Sequence, residues 1–278
     1  MPFLSGRGKT EAGVMKTVLI TGAASGLGWE LSRRAHDCGY RVILTDMNGV
    51  LLKARAEQLG KVDPQRVICR ELDVTDGDAI TALKLWLQEQ PFTLDLLINN
   101  AGITHRSLAE KTAVPVFRKV MQVDWQAPVE LSIALLPLLK QSRGGIINIG
   151  SMAGWMPVLG RAGYCSAKSA LGQFFEVMRG EVARYGVHIL MVYPSFLDTP
   201  IETNALGHDG KPANHARSMV GRMQSPAQLA EQVFLAYSSK KKRLFPDRFT
   251  WFASVLWRLA PDLYQRLMMR KFAVELEQ

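Results

Sequence analysis

Tyr164 and Lys168 stand four positions apart in this 278-residue chain, a spacing that suggests chemistry. On a helix, residues i and i+4 project from one face, so an ammonium stands one turn from a phenol. A phenol with an ordinary pKa of about 10 exchanges protons poorly at neutral pH. A neighbouring cation favours the phenolate, which turns such a side chain into a usable general acid/base. Ser151 lies upstream, just past the apolar run Ile146-Ile147-Asn148-Ile149-Gly150. A hydroxyl at the C-terminal end of a buried parallel strand sits where open α/β sheets bind ligands. By themselves a Tyr and a Lys at this spacing describe an ordinary solvated helix face, so the elements that position them decide the matter.

Those elements alternate. Residues 17–21 (TVLIT) are β-branched and apolar, as a buried parallel strand requires. They run into Gly22-Ala23-Ala24-Ser25-Gly26-Leu27-Gly28 and then a helical pattern over 29–38. Strand, glycine turn and helix start together form a phosphate cradle. The glycines admit a pyrophosphate, and the helix N-terminus offers free N–H groups. A second strand, 41–45, ends in Asp46. A carboxylate there hydrogen-bonds a ribose diol and repels a 2′-phosphate. Neither Ser25 nor Met47 carries a positive charge to offset it, so NAD is preferred over NADP. Further strands are expected at 66–72, ending at Asp73, at 94–98 before Asn99-Asn100-Ala101-Gly102, at 146–149 and at 187–193. Helices are expected over 48–60, 77–90 and 115–140, the last kinked at Pro128. Strands alternating with helices at short spacing predict an α/β fold, a parallel sheet covered on both faces.

With these residues in place the chain resembles the classical short-chain dehydrogenase/reductase family over about 16–247. TGAASGLG at 21–28, NNAG at 99–102, Ser151 followed by YCSAK at 164–168, and Pro-x-x-Leu-x-Thr at 194–199 fall in the family's order. The resemblance implies a single Rossmann-type doubly wound sheet of about seven strands that binds NAD(H) or NADP(H). It implies Tyr164 as the acid/base, Lys168 as the holder of the nicotinamide ribose, and Ser151 as the hydrogen-bonding partner of the substrate oxygen. Gly22, Ser25 and Leu27 would line the diphosphate, Asp46 the adenosine ribose, and Asp73 and Val74 the adenine. Asn100, Ala101 and Gly102 would pass along the cofactor, and Pro194, Leu197 and Thr199 would lie at the nicotinamide. The implied reaction is hydride transfer between a nicotinamide and a carbinol carbon.

Two positions depart from the family pattern. Asp124 stands where an Asn usually holds a water that relays protons to the lysine, and Ser195 stands where Gly usually follows Pro. An Asp still accepts a hydrogen bond and, if ionised, changes the pH profile of the relay. It also leaves open a catalytically impaired dinucleotide-binding regulator as the competing reading. Met152, Trp155, Met156 and Val158, with the 200–222 segment, are expected to border the substrate pocket, which implies a lipophilic alcohol or ketone.

Composition bounds the rest. With 47% apolar and 21% charged residues the chain is globular, and no apolar run is long enough to span a membrane. Residues 1–15 carry no pattern, lack the apolar core of a signal peptide, and are expected to be a disordered extension. Cys38, Cys69 and Cys165 show no ligand spacing and read as free thiols; with His208 and His215 in a polar loop, no metal is expected. A cytoplasmic homodimer or homotetramer is the expectation. The formal charge of +9 is concentrated in the tail, where 240–271 holds nine basic and two acidic residues. No nucleic-acid motif accompanies it, so no nucleic-acid partner is expected. Residues 248–278 read as basic amphipathic helices that close the substrate pocket, pack on a partner subunit, or lie peripherally on an anionic membrane surface.

Overall fold

The computed structural model describes Gly13, residues 15–199, Ile201, and residues 204–213, 223–271 and Ala273, without the side chains of Phe249 and Thr250. Most of the expected N-terminal extension, His215 and much of the 200–222 segment lie outside the described residues.

The chain begins with strand β1 (Thr17–Thr21), helix α1 (Gly26–Asp37), β2 (Arg41–Asp46), α2 (Gly49–Gly60), β3 (Val67–Glu71), α3 (Gly77–Gln88) and β4 (Leu96–Asn99). After β4 come α4 (Val114–Met121), α5 (Ala127–Ser142), β5 (Gly145–Ile149), α6 (Ala162–Val182), β6 (His188–Val192), α7 (Pro226–Ser238) and the short β7 (Arg243–Leu244). Helices α8 (Arg248–Leu259) and α9 (Pro261–Lys271) end the described chain. The seven strands form one parallel sheet in the order β3-β2-β1-β4-β5-β6-β7. Alternate residues of the central strands feed two separate cores, as a period of two demands. Val18, Ile20, Val42, Leu44, Leu96 and Ile98 pack on one face with residues of α1 and α7. Leu19, Ile43, Leu97, Ile146 and Ile189 pack on the other with α3, α5 and α6. The order reverses between β1 and β4, so their C-terminal ends diverge and open the crevice in which such sheets bind ligands.

Strand limits differ from the sequence expectation by one or two residues. The long helix expected over 115–140 differs in kind. It is interrupted at Gln122–Gln126 by a π-helical turn, in which the Ala127 N–H bonds back to the Gln122 carbonyl. Pro128 does not kink a continuous helix but stands in the first turn of α5, while Pro137 lies inside it. Pro128 lacks the N–H that the Asp124 carbonyl would receive in an α-helix, so a wider turn costs little there. The turn carries Asp124 into the interior, where it is fully buried.

The tail forms two helices, and Phe252, Leu259, Leu263 and Leu267 lie exposed rather than on the packed face. Instead Tyr264 and Met268 pack on Met156, Val158 and Leu159, together with Ala253, Leu256 and Trp257. The Tyr264 hydroxyl donates to the Pro157 carbonyl at 2.9 Å, and the Arg258 guanidinium lies 3.9 Å from the centre of the Trp155 ring.

Candidate active site

At the head of β1 the chain turns so tightly that only glycine fits. Gly22 has φ +64°, and a Cβ there would lie 3.0 Å from the Ala101 Cα. A Cβ on Gly28 would sit 2.0 Å from the Gly22 carbonyl oxygen. Thr21 Oγ1 accepts the N–H groups of Asn100 and Ala101, each at 3.0 Å. The Asn100 amide donates to the Thr21 carbonyl at 2.9 Å and to the Gly22 carbonyl at 3.2 Å. The side chain of Asn100 thus fastens the glycine turn to the end of β4, while the segment 100–102 forms cleft wall. Helix α1 begins at Gly26, inside the turn and earlier than the sequence pattern suggests, which presents its N-terminal N–H groups at the cradle.

At the end of β2 the Asp46 carboxylate accepts the Ala24 N–H at 3.1 Å through Oδ2 and the Asn48 N–H at 2.9 Å through Oδ1. Each oxygen keeps a lone pair for a diol. Sequence reasoning missed a cation close by. Arg55, on α2, donates from Nε to the Ala24 carbonyl at 3.2 Å and lies 4.8 Å over the Trp29 ring. Only the fold brings it within one residue of the group that Asp46 holds. Asp73 Oδ1 accepts from the Thr75 N–H at 2.9 Å and its hydroxyl at 2.7 Å, which shapes the turn after β3 beside Val74.

One cleft of ≈ 540 Å³ gathers the remaining residues. Gly22, Ser25, Leu27, Asp46, Asp73, Val74, Asn100, Ala101 and Gly102 line one part, and Ser151, Tyr164, Lys168, Pro194, Leu197 and Thr199 another. Asp124 lies behind the wall. Ser151 caps a short turn at the end of β5 and accepts the Ala153 N–H at 3.1 Å. Lys168, on α6, is buried; its Nζ donates to the Ile149 carbonyl at 3.1 Å and lies 5.8 Å from the centre of the Tyr164 ring. Asp124 pairs with it, Oδ2 to Nζ, at 3.7 Å, and Asp124 Oδ1 accepts the Ile103 N–H at 2.8 Å. Burial pushes the Asp124 carboxyl up to about 6, against the downward pull of Lys168 and the Ile103 N–H.

The N-terminus of α6, and with it Tyr164, is pinned by a residue the sequence did not single out. His105, fully buried, accepts the Gly163 N–H through Nε2 at 2.9 Å and meets the Phe117 ring edge-on. Desolvation and the Arg161 charge lower its pKa to about 4, so it stays a neutral acceptor. Met152, Met156 and Val158 line the cleft, but Trp155 does not. Its ring turns away to pack edge-on against Tyr193 and Phe245, at 5.2 Å from each. Ser195 is half-buried in the cleft wall, and its buried hydroxyl oxygen has no hydrogen-bond partner among the described residues. A buried donor left in that state costs free energy unless a bound molecule meets it.

A glycine cradle at the β1–β4 switch point, the Asp46 carboxylate and Ser151, Tyr164 and Lys168 line one crevice, and the short chain dehydrogenase profile matches residues 16–209. The chain belongs to the short chain dehydrogenase family. Dehydrogenase/reductase SDR family member 7B of Bos taurus is 31% identical over 258 residues, spanning 90% of this chain and 79% of that protein. Estradiol 17-beta-dehydrogenase 2 of Rattus norvegicus is 35% identical over 191 residues, 67% of this chain and 49% of that protein. Among solved structures, a short-chain dehydrogenase from Streptomyces avermitilis superposes with a TM-score of 0.77 at 27% identity, covering 93% of this chain and 97% of that one. As a family member the chain is an oxidoreductase that works with a nicotinamide dinucleotide on a small-molecule substrate. The residues fit that cofactor. The glycine turn leaves the space that side chains would fill, and the unpartnered Ser195 hydroxyl stands at the wall where the resemblance puts the nicotinamide.

Proposed function

We propose that this chain interconverts a lipophilic secondary alcohol and its ketone with NAD(H), and that the Ser151-Tyr164-Lys168 cluster carries the chemistry. The observation that carries this reading is the position of that cluster, on one cleft with the glycine cradle and beside an apolar wall of Met152, Met156 and Val158. In the oxidative direction Tyr164 takes the hydroxyl proton while Ser151 holds the substrate oxygen, and in reduction Tyr164 returns the proton. The cofactor, when bound, accepts or supplies the hydride at the substrate carbon. Lys168 holds the ribose beside Tyr164, and the buried Asp124 carboxyl, 3.7 Å from its Nζ, fixes where the ammonium can stand. A relative named for estradiol, an apolar alcohol, supports the substrate class. The preference for NAD rests on Asp46, whose carboxylate opposes a 2′-phosphate, with Arg55 as the nearby charge that works against it.

The test is a cofactor-coupled panel of secondary alcohols of increasing chain length, with the matching ketones, run on the parent and Tyr164→Phe. Turnover is expected to rise with chain length and to fall by ~10²–10⁴ in the variant, the usual loss for a missing acid/base. NADH affinity should stay within a factor of about two, since a phenyl ring keeps the packing. Equal turnover by the two proteins removes Tyr164 from the mechanism. In direct titrations NADH should bind more tightly than NADPH; the reverse order overturns the Asp46 assignment and points to Arg55.

A further inference from the structure

Packing of α8 and α9 on the cleft wall consumes only one side of each helix. Tyr264 and Met268 of α9, with Ala253, Leu256 and Trp257 of α8, face Met156, Val158 and Leu159. Facing away are Trp251 at 42% exposure, Phe252 at 57%, Leu259 at 81%, Leu263 at 46%, Leu267 at 48% and Met269 at 50%. These six are among sixteen large apolar side chains exposed among the described residues, and they fall within the last two helices. The other ten are spread along the rest of the chain, as single exposed apolar residues usually are.

The charge that accompanies this surface is mostly positive. From Arg248 to Lys271 the sequence holds Arg248, Arg258, Arg266, Arg270 and Lys271 against the single acid Asp262. Helix α8 carries Trp251, Val255 and Leu259 in one i, i+4 row with Phe252 adjoining and Arg248 at its start, while Arg258 turns to the Trp155 ring. Helix α9 carries Leu263 and Leu267 four apart, with Arg266, Arg270 and Lys271 around them. Aromatic and leucine side chains beside arginine are the make-up of a helix that lies in the plane of a lipid interface. Two copies of the chain meeting through this surface would bring like charges together, whereas an anionic headgroup layer complements them. Among the described residues no helix is long and apolar enough to cross a membrane.

We infer that the outer face of α8–α9 docks the protein peripherally on an anionic lipid surface, with the apolar row entering the headgroup boundary and the arginines pairing with lipid phosphates. The same helix pair rests through Tyr264 on Pro157, between Met156 and Val158 of the cleft wall, so its inner side borders the substrate pocket while its outer side faces the lipid. The docking does not depend on which alcohol is turned over, and its test reads binding rather than catalysis.

The full chain is sedimented with vesicles of phosphatidylcholine alone and of phosphatidylcholine with phosphatidylserine, at low and high salt. Binding to the anionic vesicles is expected to exceed binding to the neutral ones at least tenfold and to fall in high salt. Leu259→Ser/Leu263→Ser should lose most of the binding, as should Arg266→Glu/Arg270→Glu, with cofactor titration and circular dichroism unchanged in both. Equal binding to both vesicles, or variants that bind like the parent, overturns the inference. So does a parent that ignores vesicles and sediments as a dimer which Leu259→Ser/Leu263→Ser dissociates, an outcome that makes the face a subunit contact.

Discussion

The crevice between β1 and β4 and the helix pair α8–α9 flank the same cleft, yet they are held in opposite ways. In the crevice the fastening is backbone and short polar side chains. Thr21 Oγ1 accepts two N–H groups, the Asn100 amide spans two carbonyls, and glycines leave spaces narrower than a methyl group. In the helix pair the fastening is side-chain contact, with Tyr264 and Met268 as the buried anchors and one hydrogen bond to Pro157. The first arrangement has many partners that all require each other, and the second has few that can release one at a time. A dinucleotide demands a fixed cradle, while a wall that borders an apolar substrate can yield.

The contrast breaks most sharply at Gly28. An alanine Cβ there would lie 2.0 Å from the Gly22 carbonyl oxygen, a backbone atom that cannot turn aside. Gly28→Ala is therefore expected to displace the turn, at ~1–3 kcal/mol for overpacking, and to weaken NADH binding by about 100-fold in fluorescence titration. Gly180, at an exposed position of helix α6, has nothing within 4 Å of the same built atom. Gly180→Ala should leave affinity unchanged and raise stability by about 0.5–1 kcal/mol, the helix preference of alanine. Equal NADH affinity in the two variants would mean that the cradle is pliant.

How much of this was legible in the sequence follows from the same contrast. The β1 turn, the end of β2 and the Tyr164–Lys168 pair are local patterns, and the structure places those residues on one cleft. A parallel sheet and six of its strands follow from the alternation of apolar runs and helical stretches, whereas the two-residue β7 has no such signal and the count of seven rests on the family resemblance. What stayed hidden depends on contacts between distant segments. Nothing in 101–106 marks His105 as the acceptor of the Gly163 N–H 58 residues away. Arg55 reaches Ala24 only because α2 packs beside the turn. Trp155 looks like pocket wall by position, but its ring is drawn edge-on against Tyr193 and Phe245. Pro128 gave a signal, but the outcome was a π turn ahead of it rather than a kink, because the wider turn also buries Asp124.

Asp124 sharpens the comparison, since it is a charge placed in the rigid half. Its carboxyl is raised to about 6 in the folded protein against an ordinary value of 3.8. A raised carboxyl contributes stability that is fully present below the unfolded value and is lost as pH rises through the folded one. The stability of Asp124→Asn relative to the parent should therefore grow between about pH 4 and 6 in cofactor-free thermal melts. In kcat/KM the variant should lose the ionisation near pH 6. Its alkaline limb should shift by about one unit to lower pH, because the Tyr164 phenolate loses a repelling neighbour. Superimposable profiles would mean that the Asp124 charge never reaches the reacting groups.

The smallest effect is expected at Tyr264. Its hydroxyl donates to the Pro157 carbonyl at 2.9 Å, and its ring meets Trp257 edge-on with centroids 5.6 Å apart. Burial pushes the phenol well above its ordinary pKa, so the group remains a donor at every pH at which the enzyme would be assayed. Tyr264→Phe keeps the ring contact and deletes only the hydrogen bond, a loss of about 1 kcal/mol. If the helix pair is held by separable anchors, that loss belongs to α9 and not to the whole molecule. Amide exchange in 261–271 should then quicken about fivefold, while the global thermal midpoint and NADH affinity stay at the parent's values. Because Pro157 lies between Met156 and Val158, KM for a long-chain substrate should move by a factor of about two to three, with kcat unchanged. A fall in the global midpoint as large as that of Gly28→Ala would show that α9 unfolds together with the sheet, and the cleft would then have one rigid frame instead of a fixed side and a yielding one.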